Sequence, residues 1–73
     1  MEDIKNIIES LLFVAEEPLT VDRLKRILTH VDTTEIRQAL NDISEEYRER
    51  KGGFYLYPVA GGYQLRTRPE YTP

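Results

Sequence analysis

A mainly helical α+β domain is predicted for this chain, on three observations. Apolar residues recur at helical spacing through three successive segments between Glu2 and Arg50. Two runs rich in β-formers then flank Gly61-Gly62, a pair able to supply the positive φ angles of a tight primed turn. The whole chain has 73 residues, room for one small domain that buries only about 60% of its unfolded surface. Three helices followed by one two-stranded hairpin is the order of a winged helix-turn-helix, with the hairpin as the wing. A lone hairpin is only marginally stable in water, so this one must lie against the helices.

The first helix is expected at about 2–15, with Ile4, Ile7, Ile8, Leu11 and Leu12 on one face and Glu2 and Asp3 at the positive end of its dipole. Phe13 falls on the far side of that wheel. It is expected to cap the core where the helix ends before Pro18, with an exposed contact residue as the alternative. Pro18 disfavours helix in the residue before it, and Leu19-Thr20 can form a short extra strand. Thr20 is the candidate N-cap of a second helix at about 21–29, burying Val21, Leu24, Ile27 and Leu28.

His30-Val31-Asp32-Thr33 forms the turn, with Asp32 or Thr33 as the next N-cap. The third helix covers about 34–50, with Ile36, Ala39, Leu40, Ile43 and Tyr47 on one face. Gly52-Gly53 is expected to end it, because glycine takes the left-handed conformation without steric cost. The hairpin spans about 54–60 and 63–68. With Gly61-Gly62 as the turn, Ala60 pairs with Tyr63, Pro58 with Leu65 and Leu56 with Thr67. Phe54, Leu56, Pro58, Tyr63 and Leu65 then face the helices. Tyr55, Tyr57 and Val59 face outward opposite Gln64, Arg66 and Arg68. A one-residue slip would exchange the two sets.

Composition removes several function classes. Without cysteine there is neither a disulfide nor a thiolate metal site, which fits a reducing cytoplasm. No apolar run approaches the roughly 18 residues of a membrane span, and the acidic start is unlike a signal peptide. Catalysis lacks parts: His30 is the lone histidine, set beside a turn, and no phosphate-binding glycine loop is present. No catalytic residue, cofactor, metal or small-molecule substrate is therefore expected.

The formal charge of −3 speaks against a stand-alone nucleic-acid binder. Gln38 and Asn41 on the third helix could read adenine and Arg37 guanine. Yet Glu35, Asp42, Glu45, Glu46 and Glu49 would meet the phosphates, so direct DNA binding is expected to be weak or absent. Arg66 and Arg68 lie across from Tyr55 and Tyr57, a setting for cation–π stacking within the wing. Tyrosine and arginine are also enriched at protein–protein hot spots. The first candidate interface is therefore the outer hairpin face with Tyr55, Tyr57, Val59 and Arg66. The second is the surface around Phe13.

Two runs resemble a known family. Ile8-Glu9-Ser10-Leu11-Leu12-Phe13-Val14-Ala15-Glu16-Glu17-Pro18-Leu19-Thr20 is similar to the opening of segregation and condensation protein B. Val59-Ala60-Gly61-Gly62-Tyr63-Gln64-Leu65-Arg66-Thr67-Arg68-Pro69-Glu70-Tyr71 is similar to its wing. Ile36-Arg37-Gln38-Ala39-Leu40 and Gly53-Phe54 lie where that family has its third helix and wing entry. The resemblance implies a non-catalytic, cytoplasmic subunit of a bacterial condensin-like complex acting in chromosome condensation and partition. It further implies a homodimer that binds the kleisin subunit and, through it, the ATPase of the structural-maintenance-of-chromosomes type. Members have two winged-helix domains in tandem, so residues 1–73 are expected to be the N-terminal one, with self-association as its main task. A winged-helix DNA-binding regulator is the alternative.

Overall fold

The computed structural model describes residues 3–71, and its first helix begins at a carboxylate. Asp3 accepts from the Asn6 backbone N–H at 3.2 Å and from the Asn6 side-chain amide at 2.8 Å. This N-cap starts α1, Ile4–Val14, and Ala15 ends it in extended conformation. Glu2, expected inside this helix, lies outside the described residues. The chain then passes Pro18 into β1, Leu19–Thr20. Thr20 serves twice: its backbone closes the strand, and its hydroxyl accepts from the Arg23 N–H at 3.1 Å to open α2, Val21–Ile27.

Helix α2 stops earlier than its apolar pattern predicts. Leu28 leaves helical geometry (φ −106, ψ 66) with its N–H still bonded to the Leu24 carbonyl. Lys25 draws the turn closed, donating to the Thr29 carbonyl at 3.0 Å and the Val31 carbonyl at 2.7 Å. The core contacts are therefore made by Leu24, Leu28 and Val31. Ile27, expected in the core, lies to the side of the Leu24–Leu28 line and is 54% exposed.

Helix α3, Thr33–Arg50, is capped at Asp32 by backbone alone, the Ile36 N–H reaching the Asp32 carbonyl at 3.0 Å. Its buried stripe is Ile36, Ala39, Leu40, Ile43 and Tyr47, as the spacing predicts. Its end differs from expectation. The left-handed residue is Lys51 (φ 53, ψ 37), and neither Gly52 nor Gly53 has positive φ. A side chain in this conformation costs about 1–2 kcal/mol. Contacts from beyond the hairpin hold the chain there. Arg68 donates from Nε to the Gly52 carbonyl at 2.6 Å and from Nη2 to the Tyr47 carbonyl at 3.2 Å, and its N–H bonds the Gly53 carbonyl at 2.8 Å. These bonds take up carbonyls at the negative end of α3.

Strands β2, Phe54–Val59, and β3, Gly62–Thr67, form the hairpin, and β1 adds on the other side of β3 to give the order β1-β3-β2, all antiparallel. The turn residues are Ala60 (φ 51) and Gly61 (φ 76), not Gly61-Gly62. Each β2 residue accordingly meets a partner two places earlier than expected: Pro58 faces Tyr63 and Leu56 faces Leu65. A shift of two preserves side-chain parity, so the two faces keep their predicted membership. Gly62 has a different duty. A Cβ there would lie 2.8 Å from the Leu19 carbonyl oxygen, so the close approach of β1 requires glycine at this position.

The core joins Ile8 and Leu12 of α1, Leu24 of α2, the α3 stripe and Leu56 of the wing. Tyr47 closes its lower edge, its hydroxyl donating to Glu9 at 2.5 Å. Burial, then the bond to the Glu9 carboxylate, pushes the Tyr47 phenol up to about 12. Lys5 and Glu46 form a second link between α1 and α3, and that contact raises the Lys5 ammonium above its ordinary value.

Candidate protein interface

Strand alternation places Tyr55, Tyr57 and Val59 of β2 on the outer face of the wing with Gln64 and Arg66 of β3. The Tyr55 and Tyr57 rings meet edge to face, centroids 5.7 Å apart at 86°. Arg66 pairs across the ladder with Tyr55 and reaches diagonally to Tyr57, its guanidinium carbon 4.3 Å from the ring centroid. Its Nε donates to the Gln64 Oε1 at 3.0 Å, and the Gln64 amide reaches the Glu16 carbonyl at 3.4 Å. The cation is thus pre-oriented over an aromatic face. An open groove of about 740 Å³ runs beside it, lined by Tyr55, Gln64, Leu65, Arg66, Thr67 and Pro69.

Arg68, expected to share this outer cluster, is turned instead into the clasp under α3. The wing therefore presents one outward arginine. Tyr55, Tyr57 and Val59 are half-buried within the monomer, whereas Arg66 is exposed.

The second surface is apolar. Phe13 does not cap the core: it is 75% exposed at the end of α1, and the adjoining Val14 is 71% exposed. Phe13, Tyr47, Arg50, Phe54 and Leu65 line a depression of about 300 Å³. Arg50 lies across the Tyr47 ring, 4.9 Å from its centroid. Phe54 sits on the inner face of the wing as its parity requires, yet is 48% exposed. Pro58, at the other end of the same face, is also exposed. The hairpin is longer than the helical surface beneath it, so only Leu56 of the inner β2 positions is fully covered. Val14 and Phe54 were missed as surface residues because alternation assigns a face without saying how far the covering layer extends.

The helix expected to enter a DNA groove satisfies many of its polar groups internally. Gln38 donates to Asp42 at 2.9 Å and Arg48 pairs with Glu45. Lys25 is committed to the turn after α2, and Arg23 lies 3.7 Å from Glu17. Among the described residues no cluster of three or more His, Asp or Glu side chains could hold a metal ion. No helix there is long and apolar enough to cross a membrane.

A three-helix body and a three-stranded antiparallel wing together define a winged-helix domain. The family model described as segregation and condensation complex subunit ScpB matches residues 6–73, and the chain belongs to that family. It is 48% identical over 66 residues to segregation and condensation protein B of Myxococcus xanthus, covering 90% of this chain and 20% of that protein. The Desulforamulus reducens protein of the same name is 42% identical over 69 residues, 94% of this chain and 38% of its own length. The chain thus spans well under half of these relatives. Among solved structures, ScpB from Mycobacterium tuberculosis superposes with a TM-score of 0.84 at 26% identity, covering 97% of this chain and 46% of that one. The crystal structure of a dimer of ScpB N-terminal domain complexed with ScpA peptide superposes at 0.80 and 26% identity, covering 92% of this chain and 83% of that one.

Proposed function

We propose that this domain is a non-catalytic interaction module of a bacterial condensin-like complex, in which it self-associates and takes part in holding the kleisin subunit. Its work lies in chromosome condensation and partition, on the nucleoid in the cytoplasm. The observation that carries the reading is the Phe13 surface, where two phenylalanines line one depression, Phe13 largely and Phe54 about half in water. Withdrawing such apolar area from water favours association. The likeness to an ScpB N-terminal domain crystallised as a dimer with an ScpA peptide supports the same reading.

Between the two sequence-predicted interfaces, the Phe13 surface is the better dimer seat. Tyr55, Tyr57 and Arg66 already stack on one another, so a partner gains less fresh apolar burial there. A stable homodimer needs about 800 Å² per partner, so the contact must extend beyond the residues that line the depression. The exposed Val14 beside Phe13 is one such neighbour. The internal pairing of Gln38 and Arg48 on α3 argues against groove reading.

Sedimentation equilibrium tests the proposal. The wild-type domain should be a dimer, and Phe13→Ser should weaken it about 30-fold, the loss of a hot-spot side chain, while the circular dichroism spectrum is unchanged. A Phe13→Ser protein as dimeric as wild type would move the interface elsewhere. A monomeric wild type with steeply salt-dependent DNA affinity would replace this reading by the regulator.

A further inference from the structure

The β3 edge is only partly covered by β1. Strand β1 pairs only with Gly62 and Tyr63, whereas β3 continues to Thr67. The bond from the Arg68 N–H to the Gly53 carbonyl sets the ladder's parity: 62, 64 and 66 bond β2, and Tyr63 and Leu65 turn their backbone groups toward β1. Tyr63 finds Leu19 there. Leu65 would face Glu17 if β1 ran on, but the chain bends at Glu16-Glu17 and the strand begins only at Leu19. Pairing stops at Leu19, and the Leu65 N–H and carbonyl have no strand partner among the described residues.

Charge points to the kind of occupant. The groove of about 740 Å³ along this edge is lined by one charged side chain, Arg66, and by no carboxylate. Arg66 has no ion-pair partner among the described residues and is held in place by Tyr57 and Gln64. A pre-oriented guanidinium beside free strand backbone suits an extended peptide with a carboxylate side chain.

We infer that an extended, acid-bearing segment of a partner chain adds to the β3 edge beyond β1, its backbone pairing with Leu65 and its carboxylate meeting Arg66. This rests on the proposed function, which makes the partner the kleisin of the same complex and leaves the Phe13 surface to the second copy of this chain. The two occupants adjoin at Leu65, which lines both the apolar depression and the open groove.

The test is amide-resolved NMR of the 73-residue domain titrated with overlapping synthetic peptides tiling that kleisin, then with the intact kleisin. Shifts should centre on Leu65 and Arg66, and hydrogen exchange at the Leu65 amide should slow at least tenfold. Arg66→Glu should weaken binding at least tenfold and Arg66→Gln by less, with the sedimentation mass of both variants unchanged. Binding that shifts Phe13 and Phe54 instead, or is indifferent to Arg66→Glu, overturns the inference and leaves the dimer reading standing. A DNA duplex that shifts Leu65 and Arg66 more than any peptide also overturns it. Failure of the dimer reading itself shows separately, as an unchanged mass for Phe13→Ser.

Discussion

Arg66 near the end of β3 and Arg68 just beyond it stand two positions apart, and the fold uses them in opposite ways. Arg68, at the foot of the wing, spends its guanidinium on carbonyls at the end of α3. Arg66, on the outer face, stacks on Tyr57 and bonds Gln64, both side chains of its own hairpin. One arginine is cement and the other is available. The difference teaches that charge counted along the sequence overstates the charge a surface offers, because backbone carbonyls at a helix end also attract cations.

The sharpest way to break the contrast is to loosen the wing from its strap. Gly62→Ala places a methyl group against the Leu19 carbonyl, 2.8 Å away, and β1 must move. A loss of about 3 kcal/mol is expected in urea unfolding, at the upper end for an overpacked site. Next comes the foot itself. Arg68→Ala removes charge-assisted bonds to two carbonyls and should cost about 2 kcal/mol. If Arg66→Ala cost as much, the division of labour between the two arginines would be wrong.

The same foot has a pH signature. Because the Tyr47 phenol is raised to about 12 from an ordinary 10, the folded state holds the neutral form more tightly than the unfolded chain does. Its contribution is fully present below pH 10 and is lost as pH rises through about 12. Chemical unfolding across that range should show declining stability, and Glu9→Gln should reduce the decline by removing the carboxylate beside the phenol.

Smaller effects sharpen the picture. Lys51→Gly relieves a left-handed side chain at φ 53 and should add up to about 1 kcal/mol in thermal unfolding. Arg66→Ala should change stability by only about 0.5 kcal/mol, the value of an exposed cation–π contact. Its consequence belongs in binding, not folding.

Much of this domain was legible in the chain. The three helices follow from apolar spacing, Thr20 from its capping chemistry, and the outer and inner faces of the wing from strand parity. The homology-bearing runs, Ile8 to Thr20 and Val59 to Tyr71, cover the second half of α1 with β1, and the turn of the wing with β3. What misled was glycine. Gly61-Gly62 and Gly52-Gly53 both looked like conformational specialists, yet the positive φ angles fall partly on Ala60 and Lys51.

The sequence by itself determined the order of elements, the core stripe of α3 and the membership of each sheet face, because these depend on local periodicity and capping. Only the tertiary structure decided which glycine serves contact instead of conformation, which arginine is consumed, and that Phe13 and Phe54 are left in water. Each of those outcomes depends on how far one layer extends over another. Gly62 is required by a carbonyl 43 places earlier in the chain, at Leu19. Arg68 is taken by the end of a helix 18 residues long that precedes the hairpin. Such distances in sequence carry no local signal, so packing alone settles them.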